Sequence, residues 1–295
     1  MLQSLSFFTE YSRQVIANSQ FAPLMFALTA TFAWGMSDFV GGYASRRANA
    51  ILLTTITHLS GTALMLSLAG LLHSSFPGKS GVVWAMAAGF MGGTALALFY
   101  RALAVGNMGL IAPIGAVLGA AIPTIADAFI EGRPGPVRMA GFALAGAGIW
   151  LISRSEGTAG RPEGIGLAAL AGVGFAGYFL CTRQAGYGSP LWITGVARSV
   201  SLVTTGAIVL LTRQFRPMNA TGVRWGLLAG LMDVSGSAFF VQASQRGRLD
   251  TAVMVSSLYP AITVLLARIF LKEEFTRWKL AGLLAALLAV PMIAS

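Results

Sequence analysis

The chain has 295 residues, of which 56% are hydrophobic and 10% are charged. Soluble globular domains carry about 25% charged residues, so this composition excludes a soluble protein and indicates that lipid is its main solvent. The formal net charge of +10 fits basic loops beside anionic lipid head groups better than it fits nucleic-acid binding. Cys181 is the single cysteine, which excludes an intrachain disulfide.

Residues 1–21 precede the first long apolar run. They lack the continuous apolar core and the small-residue cleavage site of a removable signal peptide. Hydrophobic side chains nevertheless recur at roughly helical spacing, at Leu5, Phe8, Tyr11 and Val15. We therefore expect this N-terminal segment to lie as an amphipathic helix in the membrane interface or to be disordered.

Ten apolar segments follow, each close to the roughly 20 residues that a helix needs to cross the hydrocarbon core of a bilayer. They are apolar on all sides, which predicts helices rather than the alternating strands of a membrane barrel. The segments cover residues 22–43, 50–72, 81–104, 107–128, 136–153, 164–185, 190–212, 223–245, 249–270 and 276–294. The sequence thus predicts an all-α integral membrane protein with ten transmembrane helices.

The chain also matches itself when it is displaced by about 141 residues, which aligns five spans with five. Identical residues then coincide without a gap: Phe99 with Phe240, Ala102 with Ala243, and Gly106 with Gly247. We infer a first five-helix repeat over residues 22–153 and a second over 164–294. An odd number of spans in each repeat places the two repeats in opposite orientations, as in secondary transporters, with the solute site near the bilayer midplane between them.

Small residues and prolines predict two local features. Pairs of glycines four residues apart predict helices in close contact, at Gly89 and Gly93, Gly115 and Gly119, and Gly226 and Gly230. Pro113 and Pro123 in the fourth span and Pro260 in the ninth predict breaks in helices that are equivalent in the repeat. Such breaks could serve gating or could be simple structural kinks.

Three strings of residues carry a family resemblance. They are residues 34–39 on the first span, residues 44–47 after it, and residues 256–268 followed by Glu273 and Glu274. Together they resemble the drug/metabolite transporter superfamily, specifically its ten-helix EamA branch, over residues 22–294. The first repeat departs from the pattern by carrying one acid, Glu131, where the loop motif has two. His58 also stands where many members have arginine.

The resemblance implies a solute carrier that does not hydrolyse ATP, often an exporter of amino acids or other metabolites. The nearest named type is the YddG type of aromatic amino-acid exporter. The sequence itself has no Walker-type loop and no His-Glu-x-x-His, and the acids inside spans are solitary. We expect a multi-pass protein of the cell (inner) membrane that is not an enzyme and uses no cofactor or metal. Its expected partners are a small-molecule substrate and membrane lipid but no nucleic acid. A single copy of the chain would suffice for transport, so a monomer is compatible with this function.

Ionisable residues inside a span are costly and therefore mark functional candidates. Asp233, Arg198 and His58 are the deepest, with Asp38 nearer the end of its span. The depths of Asp233 and Arg198 differ by roughly 6 Å, which a long arginine side chain can bridge. If they pair, Asp233 stays charged; if they do not, burial favours its protonated form and it could couple transport to protons. His58 could contact the solute or could be hydrogen bonded to a serine.

A site for an amino acid or an aromatic metabolite needs polar groups for the charged ends and flat apolar walls for the body. The candidates beside His58 are Trp34, Ser37, Tyr100, Tyr178, Ser244 and Tyr259. Each could instead be an interfacial anchor or a core residue. We expect a cavity lined by the first, third, sixth, eighth and ninth spans. The predicted function is export of small organic metabolites, foremost amino acids, by alternating access; the alternatives are a broad-specificity drug exporter and a non-transporting membrane scaffold.

Overall fold

A computed structural model describes the backbone of residues 2–106, 108–130, 132–153, 163–214, 218–272 and 276–294, and most of their side chains from residue 21 on. All regular elements in these ranges are helices. They are α1 (Leu2–Ser45), α2 (Ala50–Leu71), α3 (Lys79–Val105), α4 (Met108–Ile130), α5 (Pro136–Ser153), α6 (Ile165–Gln184), α7 (Pro190–Leu211), α8 (Ala220–Arg246), α9 (Leu249–Ser256), α10 (Tyr259–Leu271) and α11 (Arg277–Ala294). Within these ranges nine of the predicted apolar segments each fall on one helix, and the ninth in chain order is divided between α9 and α10. The N-terminal segment is helical from Leu2 and continuous with the first span.

Seven helical stretches of the described chain are long and apolar enough to cross a membrane. They are the part of α1 from Phe21 on, α2, α3, α6, α7, α8, and residues 249–271, which hold α9 and α10. Two further apolar helices, residues 114–130 and 136–151, are shorter. Large apolar side chains such as Phe32, Phe90 and Leu211 are exposed on the outer faces, as expected of helices that contact lipid. The protein is therefore an all-helical membrane protein, and the crossing of all ten segments stays a prediction.

Helices of the two predicted repeats interleave instead of forming separate bundles. α1 packs on α8, α3 on α6, α2 on α7, and α5 on α11. α4 also packs on α6, and α1 also packs on α9 and α10. Residues from both repeats consequently face one another along the middle of the molecule.

The predicted close approaches at glycines are confirmed. A Cβ atom on Gly89 would lie 2.1 Å from the carbonyl oxygen of Ala197, and one on Gly230 would lie 2.1 Å from that of Thr57. The Ser201 hydroxyl donates a hydrogen bond of 2.7 Å to the Gly89 carbonyl across the first of these contacts. Small residues therefore bring the backbones of α3 and α7, and of α2 and α8, into contact.

Gly89→Ala is expected to destabilise the protein, because the backbone of α7 occupies the space that the new methyl group needs. Gly146→Ala is the matched control, since nothing lies within 4 Å of a Cβ atom at that position of α5. Alanine in place of a helical glycine otherwise stabilises a helix by about 0.5–1 kcal/mol. The thermal unfolding midpoint in detergent should fall for the first variant and hold or rise for the second. Equal midpoints for the two variants would contradict the close approach of α3 and α7.

The ninth span is broken at Ser257 and Leu258, between α9 and α10. Pro260 occupies the first turn of α10, where a helix needs no N–H donor, so it begins the new helix. Hydroxyl groups hold α1 against this break: Thr31 Oγ1 donates to the carbonyl of Val255 at 2.8 Å. The break predicted at Pro260 is therefore present.

The fourth span behaves differently from the ninth. α4 is a continuous helix that includes Pro123, so the break expected in this span does not occur. Membrane helices tolerate proline where neighbouring groups satisfy the carbonyl that loses its donor. The backbone of Pro113 is also helical, and its side chain lies outside the described part of the chain.

Candidate functional site

A cavity lies between the two predicted repeats, near the middle of most of the helices that form it. The space between its lining atoms is about 540 Å³, open space at its mouth included. The first repeat contributes Trp34, Asp38, Gly92, Leu96, Gly115, Ala116 and Gly119, and the second contributes Phe175, Tyr178, Phe179, Arg198, Asp233, Ser257 and Tyr259. The fourth and seventh spans thus line the cavity in addition to the predicted five.

Arg198 and Asp233 form a buried ion pair in the wall of the cavity. Arg198 Nη2 lies 2.9 Å from Asp233 Oδ2 and donates to Ser237 Oγ at 2.5 Å. The Ser237 hydroxyl donates in turn to the backbone carbonyl of Asp233 at 3.0 Å. The guanidinium carbon also lies 5.9 Å from the centroid of the Tyr178 ring. Of the two alternatives open at the sequence level, the structure thus has the paired arrangement.

Asp38 faces the same cavity from α1. Its side chain is buried, with 7% exposure of the residue. No ion pair or hydrogen bond joins its carboxylate to any residue of the described ranges. It lies close enough to Asp233 for the two negative charges to repel each other. The cavity lining therefore combines one closed ion pair with one carboxylate that is not paired.

Aromatic rings form another wall of the cavity. Trp34 packs against Phe179 and Phe240 with ring centroids 5.8 and 5.6 Å apart, and Tyr259 meets it edge-on at 6.5 Å. Trp34 Nε1 donates to the backbone carbonyl of Asp233 at 3.1 Å. This bond fixes the indole and satisfies its single donor, so that a flat apolar surface remains for a solute.

Two predicted binding residues of the first half, Ser37 and Tyr100, lie outside the cavity lining. The Ser37 hydroxyl donates to the carbonyl of Ala229 at 2.9 Å and so joins α1 to α8. Tyr100 is fully buried against Gly41, and its hydroxyl is 3.4 Å from Ser37 Oγ. Their position indicates packing between α1, α3 and α8, and direct contact with a solute stays a prediction.

His58 and Ser244 also lie outside the lining. His58 is fully buried on α2, and its imidazole lies against the backbone of Gly93 on α3. Ser244 follows Asp233 on α8 by about three helical turns, or roughly 16 Å. There its carbonyl accepts a hydrogen bond from Arg183, which ties α6 to the end of α8.

Sequence reasoning missed Phe175, Phe179 and Ser257 in the lining. Phe175 lies three residues before Tyr178 and four before Phe179, which places it on one helical face with each of them, and that spacing was a usable signal once Tyr178 was a candidate. Ser257 lies within the family-like string, at the break between α9 and α10. Its hydroxyl is buried and has no hydrogen-bond partner among the described residues.

A second polar cluster, also missed, joins the end of α4 to the start of α9. Arg248 donates from Nε and Nη2 to the carboxylate of Asp250 at 2.9–3.2 Å. Asp127 accepts from the backbone N–H of Asp250 at 3.0 Å and lies 3.8 Å from Arg248 Nη2. The Gly132 carbonyl accepts a further bond from Arg248 at 3.1 Å. These contacts link the two predicted repeats at one end of the molecule.

Comparison with known proteins finds a matching family, a related sequence and a solved structure with a similar fold. The EamA-like transporter family matches residues 22–154 and again residues 162–295. An uncharacterized protein of Methanocaldococcus jannaschii is 25% identical over 131 residues, which are 44% of this chain and 92% of that protein. The crystal structure of another protein superposes on this chain with a TM-score of 0.69 at 20% identity, over 92% of this chain and 95% of that protein's chain. At that identity the likeness shows the fold alone.

Proposed function

This chain belongs to the EamA-like transporter family, and we propose that it exports small organic metabolites, foremost neutral and aromatic amino acids as in the YddG type. It is a multi-pass membrane protein of a family that transports small molecules. Beyond family membership, we propose the substrate class, the outward direction of transport, the location in the cell membrane, and alternating access without ATP hydrolysis.

The cavity is the main observation that supports transport of amino acids, because it brings charged groups and aromatic rings together in the middle of a membrane protein. An amino acid needs partners for its charged ends and an apolar surface for its side chain. Asp38 offers a partner for a charged end, beside the buried Arg198–Asp233 pair, and Trp34 and Tyr259 offer the apolar surface. A membrane scaffold has no need for such groups, each of which is costly inside a span.

Helix pairing supports ten spans arranged as two inverted repeats. If the repeats are equivalent, α1 corresponds to α6 and α3 to α8, so the α1–α8 contact is the counterpart of the α6–α3 contact. The α2–α7 and α5–α11 contacts are then their own counterparts. The two separate family matches and the relative of about half this length support the same division. Such repeats have a pseudo-two-fold axis in the membrane plane, and a cavity near that axis can open to either side in turn.

Equivalent helix ends add support from local structure. Gly106 and Gly247, which coincide in the displaced sequence, end α3 and α8 with extended backbones. Their N–H groups donate to the carbonyls of Ala102 and Ala243 at 2.8 and 3.0 Å. The same residue types thus terminate helices in the same way at equivalent places.

The Arg198–Asp233 pair also bears on coupling. The Arg198 guanidinium engages the Asp233 carboxylate at 2.9 Å, which leaves Asp233 less open to a solute than Asp38 is. We therefore assign the pair to the architecture of the cavity, and of the two acids Asp38 is the better candidate for exchange with solute or proton.

A flux experiment tests the function. Purified protein in liposomes is offered a panel of labelled amino acids and cationic dyes, with and without a pH gradient, beside protein-free liposomes. We expect saturable uptake of at least one neutral or aromatic amino acid in the absence of ATP. Uptake of dyes alone would favour the drug exporter. Absence of any uptake would contradict transport and favour the scaffold.

A further inference from the structure

The Asp38 carboxylate differs from the other charges of the cavity. Arg198 and Asp233 satisfy each other at 2.9 Å, whereas the described chain offers Asp38 neither an ion pair nor a hydrogen bond. Asp38 is nevertheless buried and lines the cavity. A buried carboxylate without a partner is costly in its charged form, so it takes up either a proton or a cationic ligand that supplies the missing partner.

The charge balance of the cavity points to a cation. With both carboxylates ionised, the charged groups of the lining sum to one negative charge. Asp233 adds a second negative charge near Asp38, and the nearby Tyr100 and Tyr259 carry neutral hydroxyl groups. The cation of the lining, Arg198, is paired with Asp233. An organic cation is therefore attracted to this wall of the cavity, and an organic anion is repelled from it.

Neighbouring groups suit an ammonium ion. The buried Ser257 hydroxyl faces the same cavity without a hydrogen-bond partner among the described residues, so it is a second acceptor besides the Asp38 carboxylate. The rings of Trp34 and Tyr259 stand in the same lining, and aromatic faces attract cations. An ammonium group has three N–H donors and no acceptor, which matches a carboxylate and a hydroxyl.

We propose that the Asp38 carboxylate binds the ammonium group of the transported solute, so that the substrates are organic amines with an apolar or aromatic body. The inference rests on the proposed transport function. Amino acids belong to this substrate class because they carry an amino group, and their carboxylate is expected to add little to the binding affinity. Arg198 retains a buried Nε–H without a partner among the described residues, but the Asp233 carboxylate already engages this guanidinium and repels a second one.

Three compounds with the same phenyl ring separate the contributions of the ammonium group and the carboxylate to binding. Phenethylamine carries only the ammonium group, phenylalanine carries both charged groups, and 3-phenylpropionate carries only the carboxylate. Binding to the full-length protein in nanodiscs is measured by calorimetry. We expect phenethylamine to bind within a few-fold of phenylalanine, and 3-phenylpropionate to bind about tenfold more weakly or less. Equal or tighter binding of 3-phenylpropionate would overturn the proposal, and so would the failure of all three to bind.

Substitutions of Asp38 test whether its carboxylate is the cause of the preference for amines. Asp38→Asn should weaken phenethylamine binding by about 10- to 100-fold and remove the preference for amines. Asp38→Glu keeps the charge and should keep the preference, and Glu163→Gln, at an exposed position, should bind as the unaltered protein does. An amine preference that persists in Asp38→Asn would overturn the proposal. If Asp38→Asn does not fold, the compound series on the unaltered protein and on Asp38→Glu decides. Flux of a solute that is not an amine would overturn this inference while leaving the transport function intact.

Discussion

Asp233→Asn is expected to reduce solute flux by about tenfold or more and to lower the stability of the protein, because it leaves the Arg198 guanidinium buried without its carboxylate. In soluble proteins the removal of one member of a buried pair costs about 3–5 kcal/mol. Arg198→Gln should be similarly damaging, since it leaves the Asp233 carboxylate unpaired. Thermal unfolding in detergent and flux in liposomes are measured on the same preparations.

The double variant separates a structural role from a transport role. Arg198→Gln with Asp233→Asn removes both charges and should recover much of the lost stability. Flux should stay low, because the cavity has lost the charges that shape it. Ser237→Ala is the matched control: it removes a single hydroxyl from the same network and should cost only about 1 kcal/mol. Flux restored to the unaltered level in the double variant would show that the pair is structural only.

Trp34→Ala is expected to weaken solute binding by about tenfold or more, because it removes the central ring of the aromatic wall. It also deletes a largely buried side chain, which typically costs about 3–5 kcal/mol of stability. Trp34→Phe keeps a ring and should retain more affinity, while it loses the hydrogen bond to the Asp233 carbonyl. Affinity and unfolding midpoint are measured together, so that loss of binding is distinguished from loss of fold.

Trp84→Ala provides the matched control for this substitution. Trp84 lies on α3, outside the cavity lining, and is 39% exposed. Its replacement should leave solute affinity unchanged. Unchanged affinity and transport rate in both Trp34→Ala and Tyr259→Ala would contradict the placement of the solute against this wall.

Most of the helices could be predicted from the positions and lengths of the apolar runs. A bilayer requires long, uniformly apolar helices, so the ends of apolar runs such as residues 50–72 and 190–212 fall within a few residues of the ends of α2 and α7. The effect of proline could not be predicted in the same way. The same residue begins a helix at Pro260 and lies inside one at Pro123, and the outcome depends on which neighbouring groups satisfy the backbone.

The charged part of the site was the more predictable part. Few residues inside apolar spans are ionisable, so burial cost alone made four residues candidates; Asp38, Arg198 and Asp233 line the cavity, and His58 does not. The aromatic part was only partly predictable. A helix that is apolar on all sides does not reveal which face turns inward, so Phe179 was missed, while Tyr100 turned out to pack between helices.

Counterflow tests the central claim that the cavity carries a solute by alternating access. Liposomes that contain the protein are loaded with an unlabelled solute from the active panel and diluted into a trace of the same labelled solute, without ATP or an ion gradient. A carrier should accumulate label transiently above its external concentration, and the Arg198→Gln, Asp233→Asn double variant should not. Label that only equilibrates, or that never enters, would contradict a carrier that alternates around the cavity.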